Sequence, residues 1–303
     1  MIKIACSALL FFILPGIACN TTKKNHNKEL YQATDLTPVN SFTSGAEGPA
    51  VDKDGNLYAV NFSKEGTIGK ITPSGESSLF LELPDGSIGN GIRFTSDGHM
   101  IIADYTNHNI LKADMQTREV SVFAHESNMN QPNDIAIDDA GRIYASDPNW
   151  KEGTGRIWRA KPDGTMEMLE DNMGTTNGIE VSPGSRHLYV NESVQRNVWV
   201  YDLSANGEIT NKRLLIQFND FGMDGMRCDV DGNLYITRHG KGTVAKISPE
   251  GKLLNEIKLT GTKPSNIAFG GIDGRRAFVT MQDRGNIETF IVESAGREWK
   301  NRK

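Results

Sequence analysis

The sequence predicts an all-β fold, a six-bladed β-propeller, and three observations carry that reading. A hairpin pattern recurs six times, at residues 45–61, 89–104, 131–147, 175–192, 223–238 and 263–281. Each copy runs from a polar residue through a short apolar alternation and a Gly-containing turn to a second alternation, which is how a β-hairpin is written in sequence. The polar residues that open the copies, Glu47, Asn90, Asn133, Asn177, Asp224 and Asn266, lie 42 to 47 residues apart. A period in the low forties with room for about four short strands is that of a propeller blade. Five copies place the turn glycine eight residues after the opening residue (Gly55, Gly98, Gly141, Gly232 and Gly274); in the fourth, Pro183-Gly184 turns and Ser185 holds that place.

Taken in order, the chain of 303 residues begins with Lys3 and an apolar run, residues 4–14, that stops at Pro15-Gly16. Such a run is too short to span a bilayer and reads as an export signal. Gly16-Ile17-Ala18-Cys19 is similar to a bacterial lipobox, with Gly16 where Leu is usual. Residues 1–19 are therefore expected to be a signal ending at an acylated Cys19, residues 20–34 a polar tether, and residues 35–303 the propeller. The expected location is the periplasmic side of a bacterial membrane, as a lipoprotein or a secreted protein. Once Cys6 leaves with the signal and Cys19 is acylated, Cys228 remains alone, a small core residue without a disulfide partner. The net charge is −5 and the basic residues are scattered. Nucleic acid and anionic membrane surfaces are thereby excluded as partners, leaving the N-terminal anchor as the only membrane contact.

Within each blade two more strands are expected after the hairpin. In the first they are residues 67–71 and 78–81, split by the turn Pro73-Ser74-Gly75-Glu76, and similar turns recur at Pro162-Asp163-Gly164 and Pro249-Glu250-Gly251. No stretch carries a sustained helical period. The sixth blade lacks an outer strand, because residues 293–300 are too polar for one. An open edge would invite pairing with other chains, so residues 37–43 are expected to close the ring by completing the last blade.

The first strand of each blade lines the channel, so the six opening residues form a ring of one Glu, one Asp and four Asn. These are hard oxygen donors, suited to Ca²⁺ or Mg²⁺. Singly, such an Asn often only bonds backbone. Two carboxylates in one narrow channel, however, repel unless a cation or a proton lies between them. Because the second strand runs back antiparallel, its end rims the same mouth, which places Tyr105, Trp150 and Arg238 with Asp104, Asp147, Glu192, His239 and Gln282 there. Polar groups with Tyr105 and Trp150 above a cation suit a small hydroxylated ligand.

Four motifs now carry a family likeness: Glu47-Gly48-Pro49, Pro132-Asn133-Asp134, Asn177-Gly178-Ile179 and Asp224-Gly225-Met226. Their order and blade spacing over residues 40–290 resemble the SMP-30/gluconolactonase family of six-bladed lactonases. The resemblance implies a divalent metal held by Glu47, Asn177 and Asp224, most often Ca²⁺, with Mg²⁺, Mn²⁺ or Zn²⁺ as other occupants. It also implies a substrate or metal contact from Asn133, and substrate contacts from Asn90, Tyr105, Trp150 and Arg238 are expected beside it. The implied reaction is hydrolysis of a sugar-acid lactone, with Asp224 or Asp134 accepting the proton of the attacking water. Gln131 and Lys151 stand where some members carry Arg and an acidic residue, so substrate preference does not carry over. Two other readings stay open: an arylesterase-type ester hydrolase, and a non-catalytic NHL-like propeller that binds a carbohydrate or a protein.

Overall fold

A computed structural model of the chain describes residues 1–2, 30–84 and 86–302. The expected export signal, Cys19 and residues 20–29 of the expected tether lie outside the described residues, apart from Met1 and Ile2.

The described chain is built from six four-stranded antiparallel sheets, each formed by consecutive strands except the last. The innermost strands are Phe42–Val51, Gly89–Phe94, Ile135–Ile137, Thr176–Val181, Met226–Cys228 and Pro264–Gly270. The hairpin turns use the residues the sequence offers for reversal. Gly55, Gly98, Gly141 and Gly232 all have φ between 79° and 88°, a region that glycine enters without steric cost. The leading Asp ties the turn down: Asp52 Oδ1 accepts Asn56 N at 2.8 Å, and Tyr58 donates its hydroxyl to Asp52 Oδ2 at 3.0 Å. Tyr144 and Asp138 repeat the pair in the third blade.

The alternating apolar residues of neighbouring sheets interdigitate in six separate clusters, one for each blade-to-blade interface. The cluster joining the sixth blade to the first, with Ala268 and Phe278 against Val51 and Leu57, closes the ring by packing. Strand pairing closes it too, though not where the sequence suggested. Thr34–Asp35 pairs with Asn286–Ile291 as the fourth strand of the sixth sheet, while Phe42 already belongs to the first blade's inner strand. The expected closing segment, residues 37–43, therefore sits too far along the chain. Arg284 on the sixth-blade hairpin holds this short strand by bonding Asp35. Leu30 also bridges Ile291 and Tyr31 packs on the sixth-blade core, so the fold includes these two residues.

The polar C-terminal stretch is a plug. Residues Arg297–Arg302 form a 3₁₀ turn, and Trp299 covers Gly274, where a Cβ would lie 2.4 Å from the indole. Arg297 bonds Ile137 O at 3.0 Å and faces Glu180 at 3.3 Å, while Glu298 lies 3.2 Å from Arg93. With Arg227 and Asp134 these residues form a charge-balanced group of three arginines and three carboxylates inside the channel. Removing one partner from such a group strands its counter-charge away from water. Arg297→Ala, which strands Glu180, is therefore expected to lower stability by about 3 kcal/mol or more, read as a lower urea midpoint at unchanged slope. An unchanged midpoint would show that Arg297 adds nothing to the fold.

Candidate metal and substrate site

The opening residues reach the axis because the inner strands are bulged at their start. In the first blade the register runs from Glu47 opposite Val60 to Ala50 opposite Tyr58, and in the fourth from Thr176 opposite Glu192 to Ile179 opposite Val190. One extra residue on the inner strand turns its first side chains toward the channel. The residue that follows must then let the next blade come close. A Cβ on Gly48 would lie 1.9 Å from Asn90 O, and one on Gly178 would lie 2.5 Å from Asp224 O. The same contact appears as a hydrogen bond from Gly91 N to Asn133 O at 2.8 Å and from Gly225 N to Ser265 O at 2.6 Å.

That last bond corrects the sixth position of the ring. Ser265, not Asn266, is the counterpart of Asn133. Asn266 stands one tier deeper with Asp134, and both take the same local bonds: Asp134 N and Asn266 N donate to Ser146 Oγ and Thr280 Oγ1 at 3.0 and 3.1 Å. The sixth hairpin has one more residue between its apolar anchor and its glycine than the second does (Ile267 to Gly274 against Ile92 to Gly98). Counting back from the glycine therefore landed one residue late.

At the axis Glu47 and Asp224 meet, both more than nine-tenths buried, with a hydrogen bond between their carboxyls. Gly48 N and Asn266 Nδ2 also donate to Glu47 Oε2, at 2.6 and 3.1 Å. Burial first, then the charge of Asp134, pushes Glu47 from 4.5 up to about 7. Burial and then the neighbouring Glu47 lift Asp224 well above the ordinary carboxylate range. Two ring oxygens beside the pair are unusual. Asn177 Nδ2 donates to Ser193 Oγ at 3.1 Å, which leaves Asn177 Oδ1 buried without a partner, and Asn133 Oδ1 is likewise buried and unpartnered. Buried acceptors are almost always satisfied.

A cavity of about 680 Å³ opens at the channel mouth, lined by Tyr105, Trp150, Gln131, Asn149, His108 and Lys151 among others. Tyr105, in its lining, feels the charge of Asp224, which relates this cavity to the axial pair.

The SMP-30/Gluconolactonase/LRE-like region family matches residues 36–283. This chain belongs to that family. Among its relatives, the gluconolactonase of Zymomonas mobilis is 30% identical over 274 residues, covering 78% of this chain and 76% of its own. The diisopropyl-fluorophosphatase of Loligo vulgaris is 26% identical over 295 residues, covering 87% and 94%. Among solved structures, the calcium-binding protein regucalcin of Agrobacterium tumefaciens has a TM-score of 0.75 at 21% identity, covering 88% of this chain and 94% of that one.

For a member of the SMP-30/gluconolactonase family the donor set fits a hard cation. Two amide oxygens without partners and two carboxylates held together by a proton are what a cation of the Ca²⁺ type would satisfy. The set is poor in charge, and no group of three or more His, Cys, Asp or Glu suited to a metal occurs among the described residues. The amide oxygens are what make the site readable.

The other expected residues divide. Tyr105 and Trp150 line the cavity. Asn90 lies in the ring but donates its amide to Asn133 O at 3.0 Å, bracing a neighbour. Asp134 sits beneath the pair, its Oδ1 3.2 Å from Arg93 and its Oδ2 3.3 Å from Arg227. Arg238 is not brought to the cavity. Its guanidinium stacks 3.7 Å from the Phe218 ring centre and bonds Asp220 at 2.7 Å, fixing the turn before the fifth blade. The rim acids are structural as well: Asp104 binds Ser87 and Asn109, Asp147 accepts Asn130 N, Gln131 N and Trp158 Nε1, and Glu192 accepts Gly174 N. Sequence reasoning missed Arg93, Glu180 and Arg227. Their signal was a charged residue three places after the opening one, inside an otherwise apolar inner strand.

The shared proton has a consequence for stability. A carboxyl that titrates higher folded than unfolded stabilises the fold below its unfolded value and loses that contribution as pH rises through its folded one. In metal-stripped protein the window for Glu47 runs from 4.5 to about 7. The denaturation midpoint in EDTA is expected to fall between pH 5 and pH 8, and Glu47→Gln is expected to flatten the fall. A midpoint that holds or rises over this interval would contradict the shared proton.

Proposed function

We propose that the protein hydrolyses a sugar-acid lactone with the help of a divalent cation, most often Ca²⁺, held by Glu47, Asn177 and Asp224. The observation that carries this reading is the unpartnered Asn177 Oδ1 and Asn133 Oδ1 beside the Glu47–Asp224 pair, under a cavity large enough for a sugar. Support for the substrate class comes from the Zymomonas gluconolactonase, and for the ion from the calcium-binding regucalcin structure. When bound, the cation supplies Lewis-acid polarisation of the lactone carbonyl.

The chain's own groups do the rest. Trp150 and Tyr105 form an amphipathic wall against which one face of the sugar ring packs. Asn133 Oδ1 orients the attacking water. Asp224 takes that water's proton as the new acyl C–O bond forms, then returns it to the ring oxygen as the ring C–O bond breaks. The product is the open-chain hydroxy acid. Asp134 is the weaker candidate for this proton, because Arg93 and Arg227 hold its two oxygens and Ile135 N also donates to Oδ1. Glu47, braced by Gly48 N and Asn266, fixes the position of Asp224.

The test is hydrolysis of glucono-δ-lactone with and without EDTA. Chelation is expected to abolish turnover and added Ca²⁺ to restore it and raise the melting temperature. Asp224→Asn is expected to lower kcat by about 10²–10⁴-fold, the range for losing a positioned general base, and to abolish the thermal response. Asn133→Ala is expected to keep the thermal response while losing much of the activity. Wild-type turnover in both Glu47→Gln and Asp224→Asn would overturn the reading in favour of a binding module.

A further inference from the structure

The lining of the cavity has a chemistry of its own. The residue just before the third strand of each blade takes a left-handed conformation, and in four blades it is glycine: Gly66, Gly153, Gly242 and Gly285. In the second and fourth blades it carries a side chain, His108 at φ 58° and Arg196 at φ 63°. The conformation belongs to the blade repeat, and what sets His108 apart is the cavity beside it. His108 lines the cavity, and its Nδ1 is buried without a hydrogen-bond partner. Lys151, which follows Trp150, lines the same cavity with no carboxylate partner among the described residues. The amides of Gln131 and Asn149 line it too, and no described Asp or Glu does. A wall built for sugar hydroxyls alone would include carboxylates as acceptors. This one offers a cation and nitrogen donors, the complement of a group that can only accept.

We propose that this wall is an anion subsite: the lactone taken by the enzyme bears a negatively charged oxyacid group, a phosphate, sulfonate or carboxylate, at the end remote from its carbonyl. The inference rests on the lactonase reading, since it assigns the carbonyl to the Glu47–Asp224 end and the anion to the Lys151–His108 end. Lys151 supplies the charge. His108 and the two amides supply direction.

Binding of compounds that cannot turn over separates this inference from the lactonase reading. The probes are 1,5-anhydroglucitol and its 6-phosphate, 6-sulfonate and 6-carboxylate derivatives, titrated calorimetrically into the Ca²⁺-loaded full chain. At least one anionic derivative is expected to bind about tenfold or more tightly than the neutral parent, a difference of about 1.4 kcal/mol. That preference should shrink as salt is raised toward 0.5 M, because the Lys151 end is open to solvent. Lys151→Glu is expected to abolish or invert the preference, and His108→Asn, which tolerates the same backbone conformation, to weaken it. Lys64→Glu, a charge reversal on the first-blade hairpin far in sequence from this wall, should leave it intact. Equal affinity for all four probes, or a preference that survives Lys151→Glu, would overturn the subsite whatever the lactonase assay shows. Absence of lactone turnover alongside a Lys151-dependent anion preference would instead overturn the lactonase reading and leave the subsite standing.

Discussion

Glu47 and Asp224 come from the first and fifth blades and are buried together at the channel axis. Two ionised carboxylates cannot stay there unaccompanied, because burial removes the solvent that would screen them. A proton relieves the conflict in the bare protein, and in the proposed reading a cation would relieve it further by also satisfying Asn177. Much of the structure serves to hold that conflict in place. Ring closure brings the first blade beside the sixth, the bulges turn the opening residues inward, and the glycines after four of them let one blade's backbone approach the next.

Beneath this pair lies a second electrostatic layer. Asp134 adds repulsion to Glu47, yet it is itself held between Arg93 and Arg227. The charge group below is balanced and sealed by the C-terminal turn, with Arg297 and Glu298 as its last two members. The channel is thus asymmetric, closed and neutral at one end and open and charge-strained at the other. Only the open end can exchange a proton or an ion with solvent. The cavity over it is walled by loops that differ from blade to blade, so the reacting centre and the selecting surface are built from separate parts of the chain.

The fold was legible because propeller blades repeat their turn chemistry. Asp52 with Gly55 and Asp138 with Gly141 fix both the reversal and the strand register, and the period follows from them. The position of the axial residues was legible for a related reason: Glu47, Asn177 and Asp224 each precede a glycine that the neighbouring blade requires, so residue and motif are tied together. What failed was what repeats poorly. An added turn residue displaced Asn266 by one place. Arg238 ends its strand in register with the rim residues, but Phe218 and Asp220, from the loop before its blade, draw it away, and no local pattern announces that. The closing strand is two residues long, too short for any periodicity, and the polarity that ruled out a strand at residues 293–300 was the mark of a plug.

The direct measurement of the central claim is proton release on cation binding. Calorimetric titration of Ca²⁺ into the metal-stripped protein at pH 6, in two buffers of different ionisation enthalpy, counts the protons that leave. The account predicts release of close to one proton per bound ion in the wild type and none in Asp224→Asn. Calcium binding without proton release in the wild type would contradict it.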